Sequence, residues 1–168
     1  ESINMKKIGF VGWRGMVGSV LIDRMRAEGD FEGLEPSFFS TSNPGGSAPD
    51  VGQGDTLLLD ACDLSALSAQ QVILTCQGGE YTNDVYPRLR AQGWDGIWID
   101  AASALRMAPE AMLVLDPVNG RAIDEALAAG IKTFVGANCT VSLLLMGLHG
   151  LIQSGHVEWI STMSYQAA

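Results

Sequence analysis

Cys139 stands in the run Gly136-Ala137-Asn138-Cys139-Thr140, where a strand-like apolar stretch gives way to a helical one. A thiol at a helix N-terminus faces free N–H groups and the positive end of the helix dipole. Both favour the thiolate, the form that attacks a carbonyl carbon. The other reading of the same position is a packed, inert cysteine, the commoner fate of a free thiol. Cys62 and Cys76 lack this setting as clearly and read as structural. A thiol nucleophile needs an acid–base partner, and the candidates are His149 and His156. His149 lies on the same helix, roughly 15 Å away at about 1.5 Å per residue, in an apolar stretch where a packed histidine is expected. His156 lies beyond the helix end. A base for Cys139 is therefore expected from outside this sequence.

Gly12-Trp13-Arg14-Gly15-Met16-Val17-Gly18 falls between the first strand-like run and the first helical one. Glycines there let the backbone turn tightly and approach a pyrophosphate, and the helix N-terminus offers N–H groups to an anion. The spacing is G-x-x-G-x-x-G rather than the G-x-G-x-x-G of the common dinucleotide fingerprint. The alternatives are a dinucleotide site and a merely tight turn; the strand before and the helix after favour the first. At the end of the second strand, an enzyme preferring NAD usually places an acid for the ribose 2′-hydroxyl. This chain instead reads Ser40-Thr41-Ser42, with Arg14 in the glycine loop. Hydroxyls and a guanidinium suit a 2′-phosphate, which favours NADP, against a reading of Arg14 as a solvated loop charge.

The elements that must position these groups alternate. Strands are predicted at Lys6–Val11, Ser37–Ser40, Val72–Thr75, Ile97–Ile99, Met112–Leu115, Thr133–Val135 and Val157–Met163. Helices are predicted from about Gly15, with Val17, Val20, Leu21 and Met25 at helical spacing; from Tyr81 to Gln92; from an Asn119 cap to Gly130; and from near Cys139 to Ser154. Residues 43–54, rich in Gly and Pro, read as a surface loop. This alternation predicts an α/β, Rossmann-like fold with a largely parallel sheet flanked by helices.

The chain has 168 residues, 47% hydrophobic and 17% charged, enough for about one domain. Its charged share is low for a soluble domain, which fits either a surface normally covered by more protein or ordinary scatter. With 19 acidic against 10 basic residues, the net charge of -9 argues against a nucleic-acid partner. No basic run or long apolar segment points to a membrane, and no signal peptide is evident. The three cysteines form no zinc-type pair and no disulfide framework, so no metal is expected and reduced thiols in a cytoplasmic setting are. Glu1 to Asn4, before Met5, read as a tag remnant, and the ending at Tyr165-Gln166-Ala167-Ala168 reads as a cut chain.

GWRGMVG (Gly12–Gly18), FFSTS (Phe38–Ser42), CQGG (Cys76–Gly79), IDAASALRM (Ile99–Met107) and GANCTVS (Gly136–Ser142) together resemble aspartate-semialdehyde dehydrogenase, in its Gram-negative bacterial form. The resemblance runs from Met5 to Ala168. It implies an enzyme about twice this length, a homodimer, that reduces β-aspartyl phosphate to aspartate semialdehyde with NADPH in lysine, methionine and threonine biosynthesis. It further implies an NADP-binding domain over residues 5–137. Residues 138–168 would be the first helix and strand of a truncated catalytic and dimerisation domain. Gly12, Arg14, Gly15, Met16 and Val17 would hold the cofactor phosphates, with Thr41 and Ser42 near the 2′-phosphate and Gln77 near the cofactor. Arg106 would bind the substrate phosphate, Cys139 would be the nucleophile and Gln166 would orient the substrate. In the oxidative direction the resemblance implies a Cys139 thiohemiacetal oxidised with NADP to a thioester, which inorganic phosphate then displaces. The family's catalytic histidine comes later in the chain, so these residues alone are expected to be inactive. Two rival expectations are the related reductase of N-acetylglutamyl phosphate and a non-catalytic NADP-binding module.

Overall fold

The computed structural model describes residues 5–165. Lys6–Val11 forms β1, and the chain turns through Gly12 into helix α1, Met16–Glu28. β2 is Leu34–Ser40, followed by the two-residue β3 at Leu59–Asp60 and the short α2, Leu64–Ser68. β4 (Val72–Thr75), α3 (Gly79–Ala91) and β5 (Ile97–Asp100) follow. Then come β6 (Ala111–Val114), α4 (Asp116–Ala128), β7 (Thr133–Gly136) and α5 (Cys139–Gln153).

The seven strands form one sheet in the order β3-β2-β1-β4-β5-β7-β6, and every ladder in it is parallel. The Rossmann-like α/β expectation therefore holds. Strands buried on both faces read as continuous apolar runs, and Phe10, Val11, Phe38, Phe39, Ile73, Trp98 and Val135 are each 1% exposed or less. One core packs Val11, Phe39, Leu67, Val85, Leu89 and Trp98 together, and the other Phe10, Ile22, Phe31, Phe38 and Leu58. Pro36 is tolerated in β2 because β3 pairs only at Phe39 and Ser40, leaving the outer edge at Pro36 without a strand.

Three expectations are corrected. Val157–Met163 is not a strand: it runs irregularly with Trp159, Ile160 and Met163 exposed. β-branched and aromatic residues form a strand only where a neighbouring edge receives them, and among the described residues none pairs with this segment. Among the described residues the strand expected there does not form, while the helix expected from near Cys139 does, as α5. Asn119 stands where the expected helix begins, with non-helical φ/ψ between two helical segments, but its side chain does not cap that helix. α4 begins at Asp116 with Pro117 in its first turn, and Asn119 makes a kink inside it. Its Oδ1 accepts from the Leu115 N–H and its Nδ2 donates to the Leu113 carbonyl. Finally, Val17 and Val20 lie on the exposed side of α1, which buries Gly18 and Ile22 instead. No helix among the described residues is long and apolar enough to cross a membrane.

Candidate functional site

In an open parallel sheet, ligands settle where neighbouring strands send their connections to opposite faces, at the C-terminal strand ends. Here that point lies between β1, whose chain leads on to β2, and β4, whose chain leads on to β5. A cleft of about 260 Å³ occupies it, lined by Gly12, Trp13, Arg14, Gly15, Phe39, Ser40, Thr41, Ser42, Cys76 and Gln77. Larger hollows lie elsewhere, one of about 600 Å³ between the end of α1 and residues 50–53. That one carries none of the candidate chemistry.

The glycine loop is close-packed for a reason. Gly12 has φ +72, and a Cβ there would stand 2.5 Å from the Cys76 carbonyl carbon and 2.7 Å from Gln77 Cα. The β1–α1 and β4–α3 turns therefore touch backbone to backbone. Gly18 lets α1 pack on the same turn, since its Cβ would meet the Gly12 carbonyl and sit 2.6 Å from Trp13 Cα. Gly15 is the α1 N-cap and offers no side chain to the helix's first N–H groups. Those of Met16 and Val17 also lack intrahelical acceptors. The two side chains themselves are 83% and 55% exposed, so their contribution to the cleft is backbone.

Arg14 and the end of β2 form a second feature. Arg14 Nη2 donates to Ser42 Oγ at 2.8 Å and to Ser40 Oγ at 3.3 Å. Ser40 Oγ also accepts from the Ser42 and Asn43 N–H groups, at 3.3 and 3.0 Å. Ser40 is 5% exposed, and its own hydroxyl proton meets no acceptor among the described residues. An anionic oxygen in the cleft would supply that acceptor. The sequence pairs the Ser40–Ser42 hydroxyls with Arg14, but Ser40's place at the centre of this network comes from the turn after β2, which no local pattern reveals. Gln77 Nε2 reaches Thr41 Oγ1 at 3.5 Å and so closes the cleft between β2 and β4.

The thiol candidates separate by environment. Burial, and secondarily the charge of Asp100, push the Cys76 thiol above its ordinary value. Less of it is thiolate than of an ordinary thiol. Cys62 and Cys139 are exposed. Cys139 is the first residue of α5, whose N-cap Asn138 accepts from the Val141 N–H at 3.1 Å. Among the described residues the nearest polar contact of its sulfur is Thr140 Oγ1 at 3.9 Å. His149 lies far along α5, and His156 Nδ1 is beside the Ser154 carbonyl at 3.1 Å. Neither histidine meets Cys139. Arg106 follows β5 and donates from Nε to the Gly136 carbonyl at 2.9 Å, which ties it to the strand that leads into Cys139. Gln166 lies outside the described residues.

The candidates thus line one sheet edge: Ser40–Ser42 after β2, Gly12–Val17 after β1, Gln77 after β4, Arg106 after β5 and Cys139 after β7. With strands about 4.8 Å apart, the glycine loop and the cysteine turn are separated by three spacings, about 14 Å.

The family described as the NAD-binding domain of semialdehyde dehydrogenase matches residues 7–126. The fold is similar to aspartate semialdehyde dehydrogenase from Francisella tularensis, with 46% identity and a TM-score of 0.84, over 90% of this chain and 42% of that one. It is also similar to aspartate semialdehyde dehydrogenase II from Vibrio cholerae complexed with ASA, at 21% identity and a TM-score of 0.71, over 89% of this chain and 47% of that one. A third similar structure is aspartate semialdehyde dehydrogenase with NADP from Candida albicans, at 17% identity and a TM-score of 0.67, over 89% of this chain and 47% of that one. The last two show the fold alone. The chain spans less than half the length of these solved relatives.

Proposed function

Because the chain belongs to the semialdehyde dehydrogenase family, whose NAD-binding domain it carries, we propose that it is the cofactor-binding and thiol-bearing part of an NADP-dependent aspartate-semialdehyde dehydrogenase. The observation that carries this reading is the shared edge: one row of strand ends holds an open helix N-terminus, Arg14 bonded to the Ser40 and Ser42 hydroxyls, and an exposed thiol at a second helix N-terminus.

The cleft fits a phosphorylated dinucleotide. The Met16 and Val17 N–H groups would hold the pyrophosphate, where Gly12 and Gly15 keep side chains away. Arg14, with Ser40, Thr41 and Ser42, would hold the 2′-phosphate, and the Ser40 proton would find its acceptor there. Bound NADP supplies a hydride acceptor. Gln77 would lie against it from the β4 end.

The chain's own residues account for the rest. The Cys139 thiolate attacks the aldehyde carbon of aspartate semialdehyde, forming a C–S bond and an oxyanion. Once that carbon has lost hydride, the oxyanion collapses to a carbonyl and a thioester remains. An oxygen of inorganic phosphate, held by Arg106, adds to the thioester carbonyl; the C–S bond breaks and the thiolate returns, releasing β-aspartyl phosphate. Sulfur suits both halves, being a strong nucleophile as thiolate and a good leaving group from an acyl carbon. Gln166 would orient the substrate. The acid–base partner and the homodimer contacts come from protein outside these residues, and the product serves lysine, methionine and threonine biosynthesis.

The test is NADPH formation by the full-length gene product with aspartate semialdehyde and NADP, with and without phosphate. The expected signal depends on phosphate and vanishes in Cys139→Ala. Turnover that survives Cys139→Ala would overturn the thiol mechanism. Turnover with N-acetylglutamyl semialdehyde alone would move the substrate assignment to the related reductase.

A further inference from the structure

Asp100 ends β5 at 1% exposure, and the reaction above makes no use of it. Burying a carboxylate is costly unless hydrogen bonds replace its water, and Asp100 has no cationic partner among the described residues. Its acceptors are instead filled from three places. Oδ2 accepts from the Thr82 hydroxyl on α3 at 2.6 Å and from Trp98 Nε1 at 3.4 Å. Oδ1 accepts from the Ala102 N–H at 2.7 Å.

These bonds join two segments that the site needs. Thr82 lies one turn into α3, just after the Cys76–Gly79 turn that closes the dinucleotide cleft. Ala102 opens the segment that ends in Arg106. That segment lies against the start of α3, where a Cβ on Gly79 would sit 3.6 Å from the Ala104 Cβ. Its far end is fixed by the Arg106 N–H to the Ser103 carbonyl and by Arg106 Nε to Gly136. With Nε so engaged, the two Nη groups are what Arg106 has left to offer an anion, and they meet no acceptor among the described residues.

We propose that Asp100 is a positioning residue for Arg106: its carboxylate clamps the Ala101–Arg106 segment to α3 and so sets where the guanidinium meets phosphate. The inference rests on the assignment of Arg106 to phosphate. Asn at this position keeps an acceptor for Ala102 but turns an NH2 toward the Trp98 indole N–H, which cannot reorient to accept.

The experiment uses the full-length enzyme and compares Asp100→Asn, Thr82→Val, Thr82→Ser and Arg106→Ala. For Asp100→Asn and Thr82→Val, the KM for phosphate is expected to rise about tenfold, equivalent to about 1.4 kcal/mol. NADP affinity should hold, and Thr82→Ser, which keeps the hydroxyl, should restore the phosphate KM. A merely structural role predicts lower thermal stability with the phosphate KM of the folded enzyme unchanged; that result in Thr82→Val overturns the proposal, whether or not Asp100→Asn folds. If Arg106→Ala leaves the phosphate KM unchanged, the Arg106 assignment falls and this inference with it. A phosphate effect in Arg106→Ala but in neither clamp variant overturns the clamp alone.

Discussion

Replacing Arg14 with Ala tests the choice of NADP over NAD at its source. The guanidinium is held over the end of β2 by Ser42 and Ser40, at 2.8 and 3.3 Å, so it is oriented before any ligand arrives. A charge-assisted contact with a phosphate contributes about 1.5–3 kcal/mol, and each 1.4 kcal/mol or so is tenfold in affinity. The dissociation constant for NADP should therefore rise by about 10–150-fold. Arg14 is exposed, so salt screens it, and at a Debye length of about 8 Å the lower end of that range is expected. NAD, lacking the 2′-phosphate, should change by no more than about twofold, the scale of an exposed contact. Trp13 provides the assay: it lines the cleft, and Arg14 Cζ lies 5.8 Å from its ring centroid, so ligand entry should alter tryptophan fluorescence. Titrating wild type and Arg14→Ala with both dinucleotides, at low and high salt, gives the selectivity directly. Equal weakening for NAD and NADP, or no loss for either, would refute the assignment of this grip to the 2′-phosphate.

Gly12→Ala should destabilise the domain by about 2–5 kcal/mol, combining a left-handed backbone at about 1–2 with overpacking at about 1–3. Urea unfolding measures it, and dinucleotide affinity should fall as the two turns separate. Arg90 donates to the carbonyls of Trp94, Gly96 and Lys132 and lies over the rings of Tyr86 and Trp94. Arg90→Lys should cost about 2–4 kcal/mol in the same assay, because one ammonium cannot serve a fork of acceptors. Iodoacetamide followed by mass spectrometry should modify exposed Cys62 and Cys139 at neutral pH while Cys76 lags, its thiol held protonated by burial and by Asp100. The Tyr81 hydroxyl is likewise pushed up, by burial first and then by Cys62, Asp60 and Asp84. Both groups bind protons more tightly when folded. Their contribution to stability is complete below the ordinary values of 9.0 and 10.0 and is lost as pH rises from there through the folded values. Urea midpoints that stay flat up to about pH 11 would contradict this linkage.

What the sequence made legible were features written in adjacent residues. β1, β4 and β7 contain short apolar runs bounded by turn residues, and those runs are buried or half-buried in the sheet. The glycine loop and Cys139 announce themselves by what stands before and after them. Less legible was anything decided by a distant partner. Val17 and Val20 fit a helical stripe, yet the sheet contacts α1 through Gly18 and Ile22, because close approach to the Gly12 turn selects the glycine face. β3 is two residues held by β2 alone, too short to leave a pattern. Val157–Met163 has strand composition, but among the described residues no strand pairs with it. Asn119 is a good capping residue, but Pro117 starts the helix earlier and the Asn119 side chain turns back to Leu113 and Leu115.

The site shows the same division. Its residues occur in the chain as 12–17, 40–42, 77, 106 and 139, an order that says little about which are neighbours. The sheet order rearranges them to β2, β1, β4, β5 and β7. On the proposed reading that is the order a dinucleotide requires: the 2′-phosphate grip at one end, the pyrophosphate loop beside it, then the hydride-accepting ring, the phosphate-binding arginine and the thiol. The strand spacing of about 4.8 Å converts that order into distance, so reach along the cofactor is set by the number of strands between Arg14 and Cys139. Backbone contact between the Gly12 and Gln77 turns, and the clamp of Asp100 on Thr82 and Ala102, keep adjacent stations from sliding past each other. Cys139 is the exception. Among the described residues α5 buries none of its side chains fully; it follows directly from β7 and packs against α4. On the proposed reading, the cofactor end of this site is therefore fixed by the domain's own core, while the thiol is placed by β7 and by the half-buried packing of α5 on α4.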